Sequence, residues 1–124
     1  GFGFSVRADD VSITDLAIDG GASGIRFESM AAANTEIARV DLRNATSRGI
    51  DVATTQPVTD VVIDDCTFTA VGTGLRMASN SQVDGLSIAD STFTGNTYAI
   101  YQANDGNSST LRNFLVADST FTNQ

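Results

Sequence analysis

Two short patterns recur along the chain about every twenty-five residues, and this period limits what the chain can fold into. The first alternates apolar and polar positions, breaks, and alternates again. Its copies are Val11-Ile13-Leu16-Ile18, Thr35-Ile37-Val40-Leu42, Val61-Ile63-Cys66-Phe68, Leu86-Ile88-Ser91-Phe93 and Phe114-Val116-Ser119-Phe121. Successive copies start 24, 26, 25 and 28 residues apart. The later ones agree residue by residue: Asp65-Cys66-Thr67-Phe68-Thr69, Asp90-Ser91-Thr92-Phe93-Thr94 and Asp118-Ser119-Thr120-Phe121-Thr122. The second pattern is a small residue, an aliphatic, any residue, then usually an apolar one. Its copies, Gly24-Ile25-Arg26-Phe27, Gly49-Ile50-Asp51-Val52, Gly74-Leu75-Arg76-Met77 and Ala99-Ile100-Tyr101-Gln102, start 25 residues apart. Gly3-Phe4-Ser5-Val6 is a partial earlier copy.

Each repeat therefore holds three stretches of period two, all too short for helices. The two-residue break in the first pattern shifts the inward phase and requires a corner. Three short strands then close one coil, and coils stack at the ordinary strand spacing of ~4.8 Å. No coil covers its own apolar edge, so several must stack. The expected fold is all-β: a right-handed parallel β-helix of about five coils, three strands per coil, forming a single domain over residues 1–124. Phe68, Phe93 and Phe121 should stack face on face. A leucine-rich repeat has a similar period but needs more leucine, an asparagine-anchored frame and a helical return, none of which the sequence offers.

Composition narrows the partners. The formal charge is −8, from thirteen Asp and two Glu against seven Arg and no Lys. Nucleic acid and anionic membrane need clustered cations and are disfavoured. An Asp-rich, Lys-free surface fits a salt-loving microbe or a high-GC genome. There is no apolar run long enough for a membrane span. The single cysteine, Cys66, permits no internal disulfide and falls on a core position. With no His, the commonest general base is missing and zinc spacing is excluded.

The unit V-x-I-x-D/N-x-x-F followed by G-I-x-apolar resembles the parallel β-helix repeats of the pectate-lyase-like superfamily over essentially the whole chain. That superfamily includes pectate lyases, polygalacturonases, alginate lyases, C5-epimerases, phage tailspikes and adhesins. The resemblance implies an extracellular or cell-surface protein that handles polysaccharide on the outer face of the Gly-Ile strand. It does not carry over a complete catalytic set. Polygalacturonase-like sites use several Asp near this strand, where this sequence offers Asp51 and Glu28. Lyase-like sites set a basic residue beside a tight carboxylate cluster, and here the Arg residues have no such cluster.

Outward positions of the Gly-Ile strand should form a column of Ser5, Arg26, Asp51, Arg76 and Tyr101. The preceding positions form another: Phe2, Ser23, Arg48, Thr73 and Tyr98. Arg grips a carboxylate bidentately, and aromatic rings stack on sugar faces. Arg26, Arg48, Asp51, Arg76, Tyr98 and Tyr101 are therefore the candidate ligand residues, for an acidic polysaccharide above all. A charge-neutralising Arg26–Asp51–Arg76 ladder would account for the same residues without a ligand. Glu28 with Asp51 is the one pair placed for carboxylate chemistry. A third column, at the corner, reads Asp15, Arg39, Asp65, Asp90 and Asp118. Stacked Asp65, Asp90 and Asp118 would repel unless screened or bridged by a cation such as Ca2+, but Asp also suits a turn. No cofactor is otherwise required.

The chain begins on Gly1, so it reads as processed or as cut from a longer polypeptide. Phe121 running through Gln124 into Gly1 and on to Phe4 reproduces the seven-residue step that joins the two patterns elsewhere. A head-to-tail copy would continue the helix in register, with Phe4, Val6, Phe114 and Phe121 at the contact. Three functions follow, in order: a polysaccharide-binding module or a piece of a polysaccharide-active enzyme; a self-stacking β-solenoid forming a filament or adhesin stalk; and an intact lyase or hydrolase.

Overall fold

A computed structural model describes residues 2–103 and 109–123. Every regular element in it is a strand. In chain order these are β1 (Phe2–Val6), β2 (Ser12–Asp19), β3 (Ser23–Phe27), β4 (Ala32–Arg43), β5 (Arg48–Val52), β6 (Pro57–Asp64), β7 (Thr67–Thr69), β8 (Thr73–Met77), β9 (Gln82–Ala89), β10 (Thr92–Thr94), β11 (Tyr98–Gln102), β12 (Thr110–Ala117) and β13 (Thr120–Thr122). Strands pair, always in parallel, with their counterparts one coil away. One sheet holds the Gly-Ile strands in the order β1-β3-β5-β8-β11. The other runs β12-β9-β6-β4-β7-β10-β13, with β2 on β4, and folds over the corner to cover two sides. The result is the expected parallel β-solenoid of about five coils.

The register is the one the repeat requires. Phe4, Ile25, Ile50, Leu75 and Ile100 are successive partners. So are Ile13, Ile37, Ile63 and Ile88, and Leu42, Phe68, Phe93 and Phe121. Apart from the exposed end residues Phe4 and Phe121, these columns form one continuous core with Val6, Phe27, Val52 and Met77. The phenylalanine rings stack at 4.4 Å and 4.8 Å between centroids, tilted by only 2° and 9°. Glycine opens the Gly-Ile strand because this core is tight. A Cβ on Gly74 would lie 2.5 Å from the Ala99 carbonyl oxygen and 2.7 Å from Phe93 Cδ2.

The corner is a backbone conformation. Asp15, Arg39, Asp65, Asp90 and Asp118 all adopt φ between 50° and 59°. Left-handed residues also recur five places before, at Asp10, Asn34, Asp60, Gly85 and Asn113, and five places after, at Gly20, Asn44, Ala70, Gly95 and Asn123. Asn, Asp and Gly tolerate this region best, which explains most of the residues found there. The corner amides stay bonded: Asp65 N–H donates to the Ala89 carbonyl at 3.1 Å and Asp90 N–H to that of Ala117 at 3.2 Å.

The expected three strands per coil hold for the last three coils only. In the first two, β2 and β4 run unbroken through Asp15 and Arg39. The next residue decides this. Leu16 and Val40 are apolar and stay in the ladder, bonded as register partners. Their counterparts in the later coils are Cys66, Ser91 and Ser119. There the Cys66 N–H donates to Ser91 Oγ, and the Ser91 N–H to Ser119 Oγ, both at 3.2 Å. Each hydroxyl donates in turn to a carbonyl two residues earlier. A side chain thus replaces one rung and ends the strand. Cys66 is buried, and burial pushes its thiol pKa up, as expected of a core thiol.

Candidate functional site

The five-stranded sheet carries both anticipated columns in register. Ser5, Arg26, Asp51, Arg76 and Tyr101 are partners in sequence, and so are Phe2, Ser23, Arg48, Thr73 and Tyr98. A strand's outward positions impose no special backbone angle, so the charges here are not explained by local conformation.

Asp51 is the centre of the face. It is only 2% exposed. Its Oδ2 lies 3.9 Å from Arg26 Nε and 3.8 Å from Arg48 Nη1, and its Oδ1 lies 3.4 Å from Arg76 Nη1. Three guanidiniums, from three successive coils, thus close over one carboxylate. Arg26 also reaches Glu28 Oε2 at 3.3 Å, and Glu28 Oε1 accepts from Arg7 and from Ser5 Oγ. The Arg7 hydrogen bond, helped by the charges of Arg26 and Arg7 against a smaller desolvation effect, holds the Glu28 carboxyl below the usual glutamate range. Among the described residues these ion pairs set four arginines against two carboxylates, on a chain of net charge −8.

Beyond Arg76 the face turns aromatic. Tyr98 and Tyr101 are exposed, with ring centroids 5.2 Å apart and planes tilted by 38°. Tyr101 is the register partner of Arg76. The face therefore passes from guanidinium to phenol over a single coil step. This arrangement can grip an anion with Arg48 and Arg76 while a ring rests on the tyrosines.

The structure brings all six ligand candidates to one face but divides their roles. Arg26, Arg48, Arg76, Tyr98 and Tyr101 retain exposed surface, whereas Asp51 is shut beneath the arginines. Glu28 and Asp51 are bridged by Arg26 Nε, so no water-filled gap separates them as inverting hydrolysis would need. A low Glu28 pKa is also opposite in direction to what a general acid requires. Sequence reasoning missed Arg7, which braces Glu28 from outside the repeat pattern, and the hydroxyl of Ser5, which bonds Glu28 at 3.3 Å.

The corner column differs. Asp65, Asp90 and Asp118 are exposed and one coil apart, and among the described residues no three His, Cys, Asp or Glu side chains converge as a metal site. Asp15 and Arg39 are paired, through two hydrogen bonds from the guanidinium. That pairing lowers the Asp15 pKa and raises that of Arg39. Of the proposed end-contact residues, Phe4, Phe114 and Phe121 are exposed, but Val6 is packed into the core and unavailable to a partner. A groove of about 250 Å³ lies on the other sheet, between Pro57, Thr59, Gln82, Asp84, Thr110 and Arg112.

A parallel β-solenoid with an arginine-rich outer sheet is therefore the class that fold and surface define. Residues 1–116 match the family model described as a right-handed beta helix region, and the chain belongs to that family. Membership is consistent with the pectate-lyase-like superfamily. No curated protein matches the chain. No helix among the described residues is long and apolar enough to cross a membrane.

Proposed function

We propose that the chain is an extracellular polysaccharide-binding module, alone or as part of a polysaccharide-active enzyme, and that its ligand is acidic. The observation that carries this reading is the clustering of arginines beside two exposed tyrosines on an otherwise acidic protein. In this reading Arg48 and Arg76 take a sugar carboxylate, and Tyr98 and Tyr101 support a neighbouring ring. Isothermal titration with oligogalacturonate and oligoalginate, beside neutral oligosaccharides of equal length, tests it. Binding to the acidic chains alone, weakening with salt, is expected. Equal binding to neutral chains, or none to either, would refute it.

Exposed Phe4, Phe114 and Phe121 favour a second reading, in which end faces stack into a filament. A further coil laid on either end would cover them. Light scattering that rises with protein concentration, and is abolished by Phe121→Ser, would support stacking. A concentration-independent monomer would refute it.

A further inference from the structure

Asp51 is the least expected residue of the face. It places a negative charge at the middle of a surface read here as binding anions, and it is the most buried charge on it. Simple electrostatics says that deleting this carboxylate should improve the site. The contacts say the reverse. Asp51 meets Arg48 and Arg76 through their Nη1 atoms, at 3.8 Å and 3.4 Å. Arg48 comes from the same strand, three residues before, and Arg76 from the next coil. Nothing else described on the face joins these two guanidiniums, and like charges so close would otherwise swing apart into water. Held by one end, each guanidinium keeps its remaining N–H groups for a ligand.

The geometry points to Asp51 as a positioning residue. It does not touch ligand but pre-sets Arg48 and Arg76 so that one carboxylate of an acidic saccharide can be taken by both. Ordering these two long side chains is completed on folding, so binding does not have to supply it. This inference rests on the proposed function, and the two make separable predictions.

The test measures association and dissociation rates of tetragalacturonate on the wild-type chain and on Asp51→Asn, at two salt concentrations. Removing a negative charge should speed association and steepen its salt dependence. Loss of the brace should speed dissociation more, leaving the affinity about tenfold weaker. Faster association follows from the lost charge whatever the residue's role, so the dissociation rate is the readout of the brace. Equal or tighter affinity in Asp51→Asn would overturn the inference while leaving the proposed function standing. Loss of the function itself would appear as no tetragalacturonate binding by the wild type.

Asp51→Thr, a strand-favouring replacement, repeats the test if the Asn variant does not fold. One measurement needs no variant. Nitrogen relaxation of the arginine Nε–H groups in the unliganded chain should give Arg48 and Arg76 order parameters near the rigid value of about 0.85, with exposed Arg112 below about 0.6. Equal mobility of all three would overturn the inference.

Discussion

Two charged columns run the length of this solenoid, one residue per coil, and they have different causes. The corner column, Asp15, Arg39, Asp65, Asp90 and Asp118, sits where the backbone turns left-handed. The strand column, Ser5, Arg26, Asp51, Arg76 and Tyr101, sits on regular extended backbone. Aspartate at the corner is accounted for by φ alone, since Asp and Asn tolerate that region. Nothing in a strand asks for Arg or Asp, and Asp is disfavoured there relative to Thr or Val. A repeated charge indicates a ligand only after the backbone's own demand has been subtracted. Subtraction removes the aspartates of the corner column, and its one arginine, Arg39, is paired with Asp15 within the column; the charges of the strand column remain.

Substitutions can break this contrast. The largest effect is expected from Arg48→Gln with Arg76→Gln. Two charge-assisted contacts are lost, so acidic oligosaccharide should bind about a hundredfold more weakly by calorimetry. The melting temperature should fall modestly, because Asp51 keeps Arg26 as its guanidinium partner but loses the other two, so binding is compared at a temperature where both chains are folded. A large fall in melting temperature with binding retained would mean that the strand column is structural after all.

The corner should respond the other way. Asp90→Ala puts an alanine at φ 51° and should cost about 1–2 kcal/mol of stability in denaturant titration. Binding should be unchanged, and Asp90→Asn should be nearly neutral. A corner aspartate whose Asn variant lost ligand affinity would contradict the division of roles. In the adjoining left-handed column, Ala70 holds φ 53° with neither a polar side chain nor the freedom of glycine. Ala70→Asn should therefore stabilise the chain by about 1 kcal/mol.

The smallest effect concerns pH. Glu28 has a folded pKa below its ordinary value, chiefly through Arg7. Its contribution is present above the unfolded pKa, near 4.3, and is lost as pH falls through the folded value. Arg7→Gln should move the Glu28 carboxyl titration, followed by carbon NMR, back up toward the ordinary range. Both groups keep solvent contact, so the accompanying change in stability should be slight.

Most of the fold was legible in the sequence. Ile25, Ile50 and Leu75 sit in one file, and Phe68, Phe93 and Phe121 stack, because in-register coils leave inward residues no other neighbours. The corner was legible at Asp65, Asp90 and Asp118, where the motif repeats nearly letter for letter. The flanking left-handed columns were not, because Asp10, Asn34, Asp60, Gly85 and Asn113 share a conformation but not an identity. The unbroken strands of the first two coils depend on whether a hydroxyl takes a backbone rung, a choice made by Leu16 and Val40 against Ser91 and Ser119.

The candidate face was legible as a set of residues, since spacing alone put Arg26, Asp51 and Arg76 in one column. How they share charge was not. Spacing ranks Asp51 as one more outward side chain, whereas three guanidiniums bury it. That depends on how long side chains fold back over a short one, which periodicity does not encode.

The most direct test of the account is a nitrogen-edited NMR titration of the labelled chain with oligogalacturonate, following arginine Nε–H and backbone amide signals together. Shifts are expected at Arg48, Arg76, Tyr98 and Tyr101, with Asp65, Asp90 and Asp118 unmoved. Shifts gathered at the corner column, or spread evenly over the acidic surface, would contradict it.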